Sequence, residues 1–324
     1  MPQPSAVSRS RWAAVVALAV LLAPTGCARR AASTRPQIGV TLLTEAHVFY
    51  QDLQRGMRAE ADSLGLDLHV VAGEWDLARQ TSQVENFITQ KMNAIIIAPV
   101  DSRGIVSAIE EANRAKIPVF TVDIASAGGH VVSHIASDNE QGGELVGEYL
   151  AKLLHGKGNI AILDQPTLTS VIDRVRGFRE AIAKYPGIHI VADAAVDRGL
   201  RDVAKNKTDN LLQAHPDLNA IFGSNDDCAL GALASVRAAG KRNVLIVGFD
   251  ATPEARAAIA GGGPLKADAI QHPTTIGRQA ILTVYRYLHG DTVPPFVAVP
   301  VGIVDRGTLA QQALGHDTSG TPAH

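Results

Sequence analysis

A set of polar and aromatic residues falls where short apolar runs of this chain end. After Ile38–Leu43 comes "TEAHVFY", with Glu45, His47, Phe49 and Tyr50. The run Ile117–Asp123 ends on Asp123, and Arg174 follows a loop after Asn159–Asp164. The run that opens at Asn219 ends in Asn225, Asp226 and Asp227. Asn243–Asp250 ends in Phe249 and Asp250, and Leu265–Gln271 ends in Gln271. These are planar hydrogen-bonding groups beside aromatic faces. Sugars and polyols need that combination, because a hydroxyl both donates and accepts and the C–H faces of a sugar ring are apolar. A buried partner left unpaired costs about 1–3 kcal/mol, which is how such sites discriminate.

Catalytic patterns are absent. The chain has no G-x-G-x-x-G, no Walker A, no G-x-S-x-G and no H-E-x-x-H, and none of its histidines has metal-ligand spacing. No cofactor and no enzymatic activity are expected. Asp226 and Asp227 are paired carboxylates of the kind glycoside hydrolysis uses, but they are adjacent and open a helical stretch, where a carboxylate serves as a cap. Asn225 is the expected ligand, Asp226 a cap or supporting residue, and Glu45 and Asp227 are read as solvated.

The elements that carry these residues alternate. Strand-like runs at Ile38–Leu43, Leu66–Val71, Ala94–Pro99 and Ile117–Asp123 are separated by helix-period segments. The pattern then restarts from Val131–Ser137 and continues to Val297–Val304. "AIIIAP" is so uniformly apolar that both faces of its strand should be buried. About ten strands are too many for one ordinary doubly wound domain. The economical reading is two α/β domains, each a parallel sheet covered on both faces, with ligands beyond the carboxyl ends of the strands. A formal net charge of −2 offers no basic surface for nucleic acid.

The amino terminus reads as an export signal. Arg9 and Arg11 precede the apolar run Trp12–Ala23, which is shorter than the roughly 20 residues of a spanning helix. Thr25 and Gly26 then precede Cys27. This resembles the lipobox of bacterial lipoproteins, with Pro24 where Leu is usual, and implies that residues 1–26 are removed and Cys27 is acylated. The alternative is a plain secretory signal with Cys27 there by chance. Residues 27–36 would form a tether. Cys228 is the second of only two cysteines, so an acylated Cys27 leaves no intramolecular disulfide. Residues 315–324 have the composition of a disordered tail.

At the strand-end residues the chain resembles the ribose-binding protein family, periplasmic sugar-binding proteins related to lac-repressor ligand domains. "VVSHIASDNEQGGELVGEYLAK" (131–152), "NDDCALGAL" (225–233) and "VGFDATPEA" (247–255) carry the resemblance most specifically, and it spans about Gln37 to Val304. It implies the type I periplasmic-binding-protein fold. Its two domains would be residues 37–137 plus 272–302 and residues 138–271 plus 303–314, joined by three crossings near Ser137–Asp138, Gln271–His272 and Gly302–Ile303. It also implies a site of His47, Phe49, Tyr50, Asp123, Arg174, Asn225, Phe249, Asp250 and Gln271, with Phe49, Tyr50 and Phe249 sandwiching the sugar. The chain departs from the family at four places. His47 replaces an asparagine, Ile124 an arginine and Leu43 a serine, and no aromatic occurs near Val196–Gly199. These changes point away from ribose itself and toward another sugar, polyol or small polar molecule. The resemblance implies a monomeric, extracytoplasmic, lipid-anchored binding component of an ABC importer, partnered by a membrane permease. A sensor module that reports sugar to a membrane receptor or kinase uses the same fold.

Overall fold

The computed structural model describes residues 35–314. The leader, Cys27, most of the tether and the tail at 315–324 lie outside the described residues. From the amino end the chain lays down β1 (Gln37–Leu42), α1 (Val48–Leu64), β2 (Asp67–Ala72), α2 (Leu77–Thr89), β3 (Ala94–Ile97), α3 (Val106–Arg114), β4 (Val119–Val122) and β5 (Ser133–Ser137). It then builds α4 (Asn139–Leu153), β6 (Lys157–Asp164), α5 (Thr169–Ala183), β7 (Gly187–Ala195), α6 (Arg201–Ala214), β8 (Leu218–Gly223), α7 (Asp226–Ala238), β9 (Leu245–Asp250), α8 (Pro253–Ala260) and β10 (Leu265–Ile270). The remainder is α9 (Pro273–Leu288), β11 (Phe296–Val299), β12 (Gly302–Asp305) and α10 (Arg306–Ala313).

Two six-stranded sheets result. The first runs β11-β5-β4-β3-β1-β2 and the second β12-β10-β9-β8-β6-β7. All pairings are parallel except β10 with β12. The central strand β3 has every side chain fully buried, as expected of a strand covered on both faces. The architecture is the expected two-lobed doubly wound α/β fold. We call the first sheet and its helices lobe 1, and the second lobe 2.

Val297–Val304, expected as one strand, is two. Pro300 has no amide hydrogen for a ladder, and the chain leaves lobe 1 there. β11 pairs with β5 and β12 with β10. The helix α10 was not anticipated. Asp305 and Thr308 close a reciprocal capping box at its start.

Each lobe has a helix crossing made by paired glycines. A Cβ on Gly56 or Gly277 would strike the carbonyl oxygen of Thr274 or Leu53, which brings α1 and α9 into backbone contact. Gly143 and Gly177 do the same for α4 and α5, against Arg174 and Glu140. These close approaches fix the helices that carry the cleft residues.

Candidate functional site

The cleft between the lobes holds a cavity of about 200 Å³. That is below the roughly 300–1,000 Å³ of drug-sized sites and suits a molecule of monosaccharide size. It lies at the carboxyl ends of strands from both sheets.

The lobe 1 wall begins with His47, the N-cap of α1. Its Nδ1 accepts the Phe49 amide at 3.2 Å, so in the neutral ring the proton sits on Nε2. Nε2 faces Asp227 of lobe 2 at 3.9 Å. Phe49 and Tyr50 occupy the first helical turn with rings edge to face, 5.2 Å apart. The Tyr50 hydroxyl donates to Asp123 Oδ2 at 2.6 Å. Asp123, at the end of β4, is 5% exposed. Burial pushes its pKa from 3.8 up to about 6, against the pull of Arg174 and the Tyr50 hydrogen bond. Burial and the neighbouring carboxylate likewise raise Tyr50 well above 10.0.

The lobe 2 wall is organised around Arg174 on α5, also 5% exposed. Its Nε donates to Asn139 Oδ1 and its Nη1 to the Ser224 carbonyl, both at 2.9 Å. Asp250 Oδ1 lies 3.5 Å from Nη1. The guanidinium sits 4.0 Å above the Phe249 ring, a cation–π contact. Asp250 Oδ1 also accepts from Gln271 Nε2 at 2.6 Å, and Gln271 Oε1 accepts from Ser137 Oγ at 2.8 Å. A continuous hydrogen-bonded chain therefore joins the lobe 2 carboxylate to the end of β5 in lobe 1.

Eight of the nine anticipated residues line the cavity: His47, Phe49, Tyr50, Asp123, Arg174, Asn225, Asp250 and Gln271. Phe249 does not. It is fully buried and supports Arg174 from below. Successive strand residues point to opposite faces, so Asp250 can face the cleft only if Phe249 turns away. The expected three-ring sandwich is therefore not what the cleft presents.

Asn225, expected as a ligand, also caps a helix, and Asp226 takes the supporting one of its two expected roles. Asn225 is the N-cap of α7, with Oδ1 accepting the Cys228 amide at 2.8 Å. Its Nδ2 donates to the Gly199 carbonyl at 3.3 Å. Asp226 supports rather than caps. Its Oδ2 accepts the Thr252 amide at 2.6 Å, and it pairs with fully buried Asp268. Among the described residues no other group reaches Asp226 Oδ1 or either oxygen of Asp268. Burial raises both carboxyls, with the charge of Asp250 adding to it at Asp226 and the charge of Asp226 at Asp268. Asp227, read as solvated, lines the cavity and pairs with Arg201 at 2.9 Å. Glu45 is exposed, as read.

Trp75, Gln165, Ser170 and Arg198 line the cavity and were not anticipated. Trp75 follows β2 and Gln165 follows β6, so the strand-end rule that selected the other residues would have found both. Among the described residues no cluster of His, Cys, Asp and Glu could hold a metal ion, and no helix is long and apolar enough to cross a membrane.

Comparison with known proteins agrees with this geometry. The sequence model of the periplasmic binding protein domain matches residues 38–292. The ribose import binding protein of Escherichia coli is 35% identical over 274 residues, covering 84% of this chain and 92% of that protein. An ABC transporter solute binding protein from Mycobacterium smegmatis, solved with bound glycerol, is 34% identical. It covers 85% of this chain and 96% of its own, with a TM-score of 0.80. An ABC transporter periplasmic solute binding protein from Actinobacillus succinogenes, solved with D-allose, is 30% identical, covering 86% and 100%, with a TM-score of 0.79. These relatives are binding proteins rather than enzymes. Two parallel sheets flanking a cleft, the ribose-import relatives and the match over residues 38–292 together make this chain a member of the periplasmic binding protein family, of the ribose-binding type.

Proposed function

We propose that this chain is the extracytoplasmic substrate-binding lipoprotein of an ABC importer, which takes a sugar or polyol between its lobes and closes over it. The observation that carries the reading is the convergence of Asp123 from lobe 1 with Arg174, Asp250 and Gln271 on one cavity of monosaccharide size, beside aromatic rings. In this reading residues 37–137 with 272–302 move as one domain and residues 138–271 with 303–314 as the other. The Ser137–Gln271–Asp250 chain couples the hinge to the ligand carboxylate. A ligand favours closure only through contacts it makes to both lobes. The closed monomer then offers its two lobe surfaces together to a permease. Cys27 holds the protein at the membrane by acyl chains worth about 0.8 kcal/mol per buried CH₂.

Isothermal calorimetry of the protein against pentoses, hexoses, deoxy sugars, inositols and glycerol tests the reading. Saturable binding of one class, weakened by Asp250→Ala, is the expected result. Absence of heat with every member, on protein shown to be folded and free of carried-over ligand, would sink it. Incorporation of labelled palmitate into the wild-type chain, and its loss in Cys27→Ser, is the expected result for the anchor.

A further inference from the structure

All the aromatic rings of the cavity come from one lobe. Phe49 and Tyr50 stand in the first turn of α1, and Trp75 follows β2. Lobe 2 contributes Leu168, Val171 and Leu200 alongside its polar groups, and no ring. Phe249 is committed beneath Arg174. The cleft is therefore a wall that carries all three rings, beside His47 and Asp123, facing a charged and aliphatic one.

Trp75 is held in that wall at a conformational cost. Glu74 and Trp75 have φ of 52° and 63°, in the left-handed region that bulky residues seldom adopt. The loop is tied down by the Glu74 carboxylate, which accepts from the Thr44 hydroxyl at 2.7 Å and the Glu45 amide at 2.9 Å. The Trp75 amide donates to the Leu43 carbonyl at 3.4 Å. Backbone strain of this kind persists where surrounding contacts over-determine it, and it clusters at ligand clamps. The indole is only half-buried: it packs on the core and also lines the cavity. Leu43 and Ile124, which stand where the ribose-binding family carries polar residues, line the same cavity. This part of lobe 1 is therefore built to meet carbon rather than hydroxyl.

We propose that Trp75 is the stacking residue that sets ligand specificity in this chain. The bound sugar lays a C–H face or a deoxy carbon against the indole and turns its hydroxyl edge to Arg174, Asp250 and Gln271. The inference deepens the sugar-binding reading and rests on it.

The chain has two tryptophans, Trp12 and Trp75. In full chain carrying Trp12→Phe, all tryptophan emission comes from Trp75. The emission is expected to shift saturably with the sugar that calorimetry selects. Trp75→Ala should weaken that sugar roughly tenfold or more, whereas Trp75→Phe should stay within a few-fold. Trp75→Gly, which removes the strained side chain, should lose affinity to the same extent while its unliganded melting temperature stays level or rises. Trp75→Ala should also erase any preference for a deoxy sugar over its hydroxylated counterpart. If the wild type binds a sugar, but Trp75→Ala and Trp75→Gly bind it equally well and the emission is unmoved, this role is overturned and the sugar-binding reading stands. If the wild type binds no sugar, both fall.

Discussion

The two lobes use one strand order and different lining chemistry. Reading inward from the far edge, each sheet places its second strand, then its first, third, fourth and fifth in the same succession. Each lobe also has a helix crossing made by paired glycines, Gly56 and Gly277 in lobe 1 and Gly143 and Gly177 in lobe 2. Yet lobe 1 presents Phe49, Tyr50 and Trp75 beside His47 and Asp123, while lobe 2 presents no ring and carries Arg174, Asp227 and Asp250. The sheet supplies a position, the carboxyl end of a strand, and is indifferent to what stands there. An apolar wall tolerates small displacements of its ligand. A guanidinium fork does not, because hydrogen bonds weaken steeply with angle.

The largest test of that contrast is Arg174→Ala. It removes the centre of the lobe 2 wall and leaves Asp250 without its buried cation. Ligand affinity should fall about 100-fold or more, and stability by roughly 3 kcal/mol, read by calorimetry and by denaturant melts. A loss no greater than that of a surface arginine would show that the two walls are energetically alike. Next come the helix crossings. Gly177→Ala and Gly277→Ala should each destabilise by about 1–3 kcal/mol through overpacking. Gly177 lies one turn from Arg174, so its substitution should also weaken binding. Gly277→Ala, which shifts the aromatic wall, should leave affinity nearly intact. Equal affinity losses in the two variants would break the comparison.

A smaller effect concerns pH. Asp123, raised to about 6 from 3.8, and the Asp226–Asp268 pair hold protons in the folded chain that the unfolded chain has released. This contribution to stability is full below the unfolded value and is lost as pH rises through the folded ones. Stability should decline by an amount on the order of 1–3 kcal/mol across that window. Asp268→Asn should flatten part of the decline by replacing a carboxyl that must release its proton with a neutral amide. A melting temperature with the same pH profile in wild type and variant would remove the pair from the account.

The smallest effect is expected at the cleft mouth, where the lobes meet without ligand. Thr169 Oγ1 accepts the Ala125 amide at 2.9 Å and donates to the Ala125 carbonyl at 3.0 Å, and the Thr169 amide donates to Ser102 Oγ at 3.2 Å. Helix α5 has no side-chain cap of its own at Leu168, so lobe 1 caps a lobe 2 helix. Thr169→Val should weaken ligand binding only a few-fold, by about 1 kcal/mol of closing free energy, although the hydroxyl lies outside the cavity lining. Unchanged affinity would mean that the mouth contacts do not bias closure.

Residue order along the chain was enough to read the alternating elements, the two sheets and eight cavity residues. Burial on both faces makes β3 uniformly apolar, and function places polar groups just past strand ends; both leave marks in local sequence. The long matched stretches at 131–152, 225–233 and 247–255 were equally plain. Local pattern could not decide which neighbour in a pair faces the cleft. Phe249 and Asp250 share one motif, and only the position of α5 shows that the ring supports Arg174 while the carboxylate meets the cavity. Asn225 caps α7 as well as lining the cavity, which leaves Asp226 the supporting role, because the first residue outside a helix is its cap and the exact start of α7 is set by packing. Tyr50 and Asp123 touch across 73 residues of sequence, and His47 meets Asp227 across the cleft. The first pair exists only once lobe 1 has folded and the second only once the two sheets are brought together, because side-chain contact depends on distances in space that strand and helix periodicity do not encode.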